Sequence, residues 1–357
     1  STLLASSAAS DVYKRQEKIT VEGEVLDASG QLVTDFTGIV NPTVKDSKVT
    51  VTCLKNSNKD DSPAFTFTDY PNTIFIGNDS VRNGKFSFTF TVPKDISYSN
   101  LQGKMNLYAV DTESGNEAQG NFDNFIVGGT SDTAETDTIG PEIRALYLND
   151  TTFVDGGQVN TTPYFVAELW DKSGVNITGS SVGHDMMLVI DESTVLSYNL
   201  NSYYELLPGE DGTGIVKFPI PALEPGKHTA EFWVWDILNN STVRTFTFEV
   251  VEGLKPFLFD VIATPGIARE QVTFHLMHNR PESRMRVGIM VYDLAGRQLW
   301  KHEESGTSGL FENYTVSWDL TSGGARMRPG VYIYRAAIST DNSKDATKAR
   351  KFIILGE

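Results

Sequence analysis

Apolar and polar residues alternate along most of this chain with a period of two. In "ITVEGEVLDASGQLV" Ile19, Val21 and Val25 fall on one side of an extended segment, a Ser-Gly turn follows and the chain returns, which predicts a hairpin. "KVTVTCL" sets Val49, Val51 and Cys53 in phase, and "KFSFTFTVP" does the same for Phe86, Phe88, Phe90 and Val92. "YFVAELWD", "DMMLVIDE", "GIVKFPIP", "HTAEFWVWDI" and "RTFTFEVVEG" continue the pattern, while "NSYYELL" departs from it. Neighbouring side chains of a strand point to opposite faces, so this period predicts half-buried strands and no helical face. The expected fold class is all-β: tandem immunoglobulin-like β-sandwich domains followed by a C-terminal β-sandwich domain.

Turn residues divide the chain. Gly128, Gly129 and the polar run "TSDTAETDT" mark a linker, and Pro141 restarts the chain in an extended conformation. The expected divisions are a first sandwich over 17–130, a linker over 131–136, a second sandwich over 137–253 and a third over 254–357. The first 16 residues, "STLLASSAASDVYKRQ", lack both the alternation of the later segments and the regions of a secretory signal. They read as an artefactual, non-native leader from which no element is predicted, with the native segment expected to begin near Glu17 and further sequence upstream.

One corner recurs: a strand ending in Asp, a tight turn with Gly or Asn, then another strand. It occurs in "LYAVDTESGN", "AELWDKSGVN", "FWVWDILNN" and "IMVYDLAGR". Such an Asp can accept hydrogen bonds from backbone N–H groups two residues on, while Gly or Asn tolerates the positive φ next to it. In "FWVWD" both faces are apolar, Phe232 and Val234 on one and Trp233 and Trp235 on the other. A neighbouring domain or a long loop is expected to cover the second face.

Charge excludes one class of partner. The formal net charge is −16, which argues against binding a nucleic-acid backbone. Residues 131–253 carry 19 acidic and 5 basic groups, whereas residues 254–357 carry 11 and 14, so the last segment alone is net basic. No apolar run approaches the roughly 18 residues needed to span a bilayer. Cys53 is the single cysteine, so no intrachain disulfide can form and burial must hold the fold together.

Candidate chemistry is sparse. Cys53 lies in phase with Val49 and Val51, so it reads as a small apolar side chain; its five possible histidine partners, at 184, 228, 275, 278 and 302, fall in other divisions. His184 beside Asp185 could form a metal or acid–base site, but only one of two adjacent side chains points inward from a strand, and turn fixing is favoured. His275 and His278 fall on opposite faces and suit no single metal. Asp171, Asp236, Asn239 and Asn240 could supply oxygen ligands to calcium, although plain turn chemistry is favoured. No Walker loop, HExxH or GxSxG is present. No cofactor and no catalytic residue is assigned.

The end of the chain, "VYDLAGRQLW", "NYTVSWDL", "GVYIYRAAI" and "KARKFIILGE", resembles a type A C-terminal sorting domain of the Bacteroidetes type IX secretion system over about 257–357. The wider text, including "VPKDISYSNLQGKMNLYAVD", "DGGQVNTTPYFVAELWDKSGVN" and "GKHTAEFWVWDILNNST", resembles the region downstream of the catalytic domain in the gingipain-like sortases of that system. The resemblance implies a cell-surface, outer-membrane-associated cysteine peptidase that removes the sorting domain from cargo and joins the cargo to lipopolysaccharide. It also implies docking on the outer-membrane barrel shuttle PorV and other attachment-complex components. No catalytic Cys or His of that family matches a position here. The basic last segment offers an edge at "KFIIL" for strand addition, with Arg297, Arg326, Arg328, Arg335 and Arg350 as candidate docking residues. Two rival readings remain: a surface adhesin or other cargo of the same system, and a carbohydrate-binding module using Trp233, Trp235, Tyr203 and Tyr204 as a stacking platform.

Overall fold

The computed structural model describes residues 2–8, 12–54, 64–97, 99–132, 136–179, 183–207, 212–340 and 342–356. Among the described residues strands dominate, with a single 3₁₀ turn at Asn201–Tyr203 inside the "NSYYELL" stretch. Among the described residues no helix is long and apolar enough to cross a membrane. The chain is all-β and forms tandem β-sandwiches, in agreement with the period-two pattern. Contacts gather it into two compact units: Ser1–Leu146, Ala167–Val216 and Ala230–Thr245 in one; Tyr147–Val166, Lys217–Thr229 and Phe246–Glu357 in the other.

The first unit contains an eight-stranded sheet. It runs Thr73–Ile76, Gly38–Lys45, Lys104–Asp111, Glu117–Phe122, Thr2–Ala8, Lys18–Leu26 and Lys85–Thr91, with Asp79–Val81 beside Gly38–Lys45. The alternation sets its register: Val21 pairs with Phe88 and Ile19 with Phe90, so one face of both strands is apolar. Phe86, Phe88, Phe90 and Val92 are all buried, as their spacing predicts. Gly23 makes room for one of them. A Cβ there would lie 2.1 Å from the Phe86 ring, so only glycine lets that ring cross the neighbouring strand.

One expectation fails in this unit, and the leader, from which no element is predicted, supplies two strands. Thr2–Ala8 pairs with Lys18–Leu26, and Val12–Arg15 pairs with Ile126–Thr130. Tyr13 is fully buried and stacks on Phe125 at 4.4 Å, a contact that local patterning over four residues could not reveal. Cys53 is exposed, not inward-facing. Among the described residues Val49–Thr52 pairs only with Thr66–Asp69, forming a two-stranded ribbon whose residues are half-buried or exposed. Correct phase therefore did not bring burial.

The same unit holds Met187–Ile190 paired with Ser197–Asn199 and with residues 230–233 of the strand Gly226–Trp235, and Tyr204–Leu206 paired with residues 214–216 of the strand Thr213–Pro219. Phe232 and Val234 are fully buried. On the opposite face a loop covers Trp235 through the His184 ring, 4.4 Å away, which meets the expectation that something packs over that face.

In the second unit Leu258–Thr264, Val272–His278 and Tyr314–Trp318 form a three-stranded sheet. A five-stranded sheet runs Ile267–Ala268, Ala346–Ile354, Gly330–Ser339, Met285–Tyr292 and Gln298–Gly306. Val287, Ile289 and Val291 are fully buried while Leu294 at the hairpin tip is exposed, as "VGIMVYDLAGR" predicts. The core adds Phe274, Trp318, Tyr334 and Phe352. The expected open edge at "KFIIL" is a further correction. Ile353 and Ile354 pair in parallel with Ile267 and Ala268, and Phe352 and Ile354 are buried; at the other end of this sheet Gln298–Gly306 pairs on one side only among the described residues.

Phe352 meets Phe274, Trp318, Tyr332 and Tyr334 within ring-contact distance. Phe352→Ala should therefore cost about 3–5 kcal/mol, read as a lower denaturant midpoint in the transition reported by tryptophan fluorescence.

Candidate functional site

The four Asp corners fold as their sequence implies. Oδ1 of Asp111 accepts from the N–H groups of Glu113 and Ser114, that of Asp171 from Ser173 and Gly174, that of Asp236 from Leu238 and Asn240, and that of Asp293 from Ala295 and Arg297. Positive φ follows at Gly115, Gly174, Asn239 and Gly296. These turns have side chains short enough to reach their own backbone, so each corner is locally determined.

Two of these corners meet. Asp171 and Asp236, both buried, lie with Asp137 so that one carboxylate oxygen from each falls within 4.8 Å of the others. Asp137 accepts from the Ile139 N–H and from Ser173 Oγ. Asn240 Nδ2 donates both to Asp236 Oδ2 and to the Asp137 carbonyl, at 2.6 and 3.0 Å. Burial pushes the Asp171 carboxyl up to about 6, with the charges of Asp236 and Asp137 adding to it. Burial also raises Asp236, against its bonds to Asn240. Asp137 moves the other way, because the Ile139 N–H outweighs its partial desolvation.

Three carboxylates held this close form a hard-oxygen set that could hold a divalent cation such as calcium. Of the residues expected there, Asp171 and Asp236 come together, but Asn239 and Asn240 turn their amide nitrogens to carboxylates and serve as donors. Asp137 is the member that sequence reasoning missed. It sits at the end of a linker, and only the tertiary path of the chain returns it to corners formed 34 and 99 residues later.

The histidines do not assemble a catalytic pair. His184 Nδ1 lies 2.6 Å from Asp95 Oδ2, and Asn239 Nδ2 donates to Asp95 Oδ1 at 3.1 Å, so this group joins the loop at Asp95 to the corner after Trp235. Asp185, its neighbour, accepts from Asn201 Nδ2 instead. His278 lies 2.8 Å from Ser308 Oγ, the spacing of a nucleophile–base pair. Its other nitrogen accepts the Arg280 N–H, so its proton sits on Nε2 and is donated to Ser308. That polarity is opposite to a general base. Burial and then the Arg280 charge push this imidazole down to about 4. His302 pairs with Glu304, and His228 with the Glu224 carbonyl.

The proposed docking arginines are engaged unequally. Arg350 donates to both oxygens of Asp260 at 2.8 and 2.9 Å, and Arg297 pairs with Asp293 inside its own turn. Arg326 donates to the Arg269 carbonyl. Arg328 and Arg335 are exposed and make no ion pair among the described residues. The aromatic platform does not form: Tyr204 is buried, Trp233 and Trp235 are half-buried, and Tyr203 is exposed.

The fold and these groups define a chain of tandem β-sandwiches without an assembled nucleophile–base pair among its described residues. No protein-family model matches the chain, and no curated protein does. Along its whole length it is similar to a solved structure, dimeric latent PorU from Porphyromonas gingivalis, with 36% identity and a TM-score of 0.43. The chain spans 34% of that protein's length. The identity relates it to PorU. The N-terminal Ig1-2 module of Drosophila receptor protein tyrosine phosphatase DLAR covers 61% of this chain and 100% of its own at 10% identity and TM-score 0.24; chicken CNTN1 FN1-FN3 domains cover 98% of each at 8% and 0.21.

Two outcomes test these electrostatics. An acid raised on folding is uncharged at little cost below its ordinary value of 3.8 and becomes costly as pH rises through about 6. In chelator, Asp171→Asn should therefore raise the melting temperature at pH 7.5 more than at pH 4. For His278 the sign is reversed. Its depressed value contributes stability fully above its ordinary 6.5, and this is lost as pH falls to about 4. His278→Asn should flatten that part of the denaturation-midpoint profile.

Proposed function

We propose that the chain is the non-catalytic C-terminal region of a PorU-like sortase of the type IX secretion system. Such an enzyme would cleave the C-terminal signal of secreted cargo and attach the cargo to surface lipopolysaccharide. The supporting observation is the 36% identity carried over the entire chain. The sandwiches would orient the peptidase part of the same protein, and the C-terminal sandwich, similar to a sorting domain, would dock on PorV at the cell surface. Docking would draw on the positive charge of residues 254–357, where Arg326, in the short strand Ala325–Arg326, and Arg328, two residues on, lie exposed. Long-range attraction of this kind speeds encounter with an acidic partner.

Arg326→Glu with Arg328→Glu should weaken capture by PorV about tenfold at low salt, with a smaller difference at high salt and an unchanged melting temperature. Equal capture would remove the steering role. Intact-mass measurement of the surface form tests the wider reading: retention through Glu357 supports the sortase region, and loss of residues 254–357 would make the chain cargo.

A further inference from the structure

Between the strands Ser241–Val250 and Leu258–Thr264, residues 251–257 form neither strand nor helix, and Glu252, Lys255 and Phe257 are exposed. Exposed main chain outside a ladder is where endopeptidases nick folded proteins. Both flanks of this segment are tied. The Val251 N–H donates to the Val159 carbonyl at 2.9 Å. The Phe257 N–H donates to Asn279 Oδ1 at 2.7 Å, and the Phe257 carbonyl accepts the Asn279 N–H at 3.2 Å.

What lies between is held from the inside. Arg280, 1% exposed, is the largest fully buried side chain among the described residues. Its Nη2 donates to the carbonyls of Leu254 and Lys255 at 3.2 and 3.4 Å, and its Nη1 to the Asn279 carbonyl at 3.2 Å. Among the described residues no other hydrogen bond reaches residues 252–256. Arg280 is in turn positioned by its own N–H, which donates to His278 Nδ1 at 3.0 Å, while the other nitrogen of that ring bonds Ser308. A guanidinium stays charged throughout the pH range of a folded protein, so its bonds to carbonyls are charge-assisted, and a buried one left without acceptors is costly.

A cut at this place would separate little. The core cluster of the C-terminal sandwich draws on residues from Leu258 to Ile354, so a break before Leu258 leaves its apolar contacts whole. We propose that residues 252–256 are a latent processing site for an endopeptidase, kept shut by Arg280. At Leu254–Lys255 hydrolysis would add one water across the amide, leaving a carboxylate on Leu254 and an amine on Lys255, and release the sandwich that follows. The protease needs the main-chain groups on both sides of the bond it cuts, so the two carbonyls must first leave the guanidinium. Cleavage then tracks the population of the opened segment. Arg280 acts here as a positioning residue, and its clamp is independent of any sortase activity.

The test is proteinase K digestion of the full chain under native conditions, with fragments identified by mass spectrometry. Residues 310–313 supply the reference loop, since Phe311, Glu312 and Asn313 are exposed and outside any strand. In wild type, cuts within 252–256 should form at least about tenfold more slowly than cuts within 310–313. Arg280→Met, similar in length but without donors, should raise the first rate at least about tenfold and leave the second within about twofold. Melting followed by tryptophan fluorescence sets a temperature at which both chains are folded. Should the Met variant have none, Arg280→Lys, which keeps the charge with fewer donors, is read in the same way. Equal wild-type rates in the two segments overturn the latent site. An unchanged ratio in the variant, or equal acceleration in both segments, overturns the role of Arg280.

Discussion

Bonds from an aspartate to the backbone just beyond it hold this fold's corners. With one cysteine there is no disulfide to set the strand order, and the described residues contain no helix to brace a sheet, so register must be fixed where one strand turns into the next. At Asp111, Asp171, Asp236 and Asp293 one carboxylate oxygen receives two turn N–H groups. A charged acceptor makes such bonds stronger than neutral ones, and each satisfies donors that the end of a ladder would leave unpaired. A one-residue slip would move every apolar side chain to the wrong face, so these corners protect the core at a distance.

The same interaction carries an electrostatic cost where two corners converge. Asp171 and Asp236 keep their turn bonds, yet burial beside each other and Asp137 opposes their ionisation. The structure thus separates two roles that the sequence presents as one motif. Asp293 is a turn residue held by local bonds and Asp111 adds the Thr37 N–H to its own turn, whereas the middle pair also forms a concentrated patch of oxygen ligands.

Much of the architecture was legible because period two reports directly on strand faces. Phe86, Phe88 and Phe90, and again Val287, Ile289 and Val291, are buried where alternation placed them. Alternation does not say whether a face has anything to lie against. Cys53 is in phase with its neighbours next to a ribbon whose described residues are half-buried or exposed, and "KFIIL" reads as an edge although two residues from far upstream pair with it. Tyr13 and Asp137 were missed for the related reason that their partners are contributed by distant segments. The candidate site was half legible: Asp171 and Asp236 were found as corners, while their convergence is a property of chain path.

Cys53 also bears on handling the molecule. It is the sole thiol and stands exposed beside Leu54, just past the strand Val49–Thr52. A maleimide dye would therefore label one known position without mutagenesis, and in an oxidising medium two copies could be joined there covalently, giving a reducible dimer independent of any folded interface.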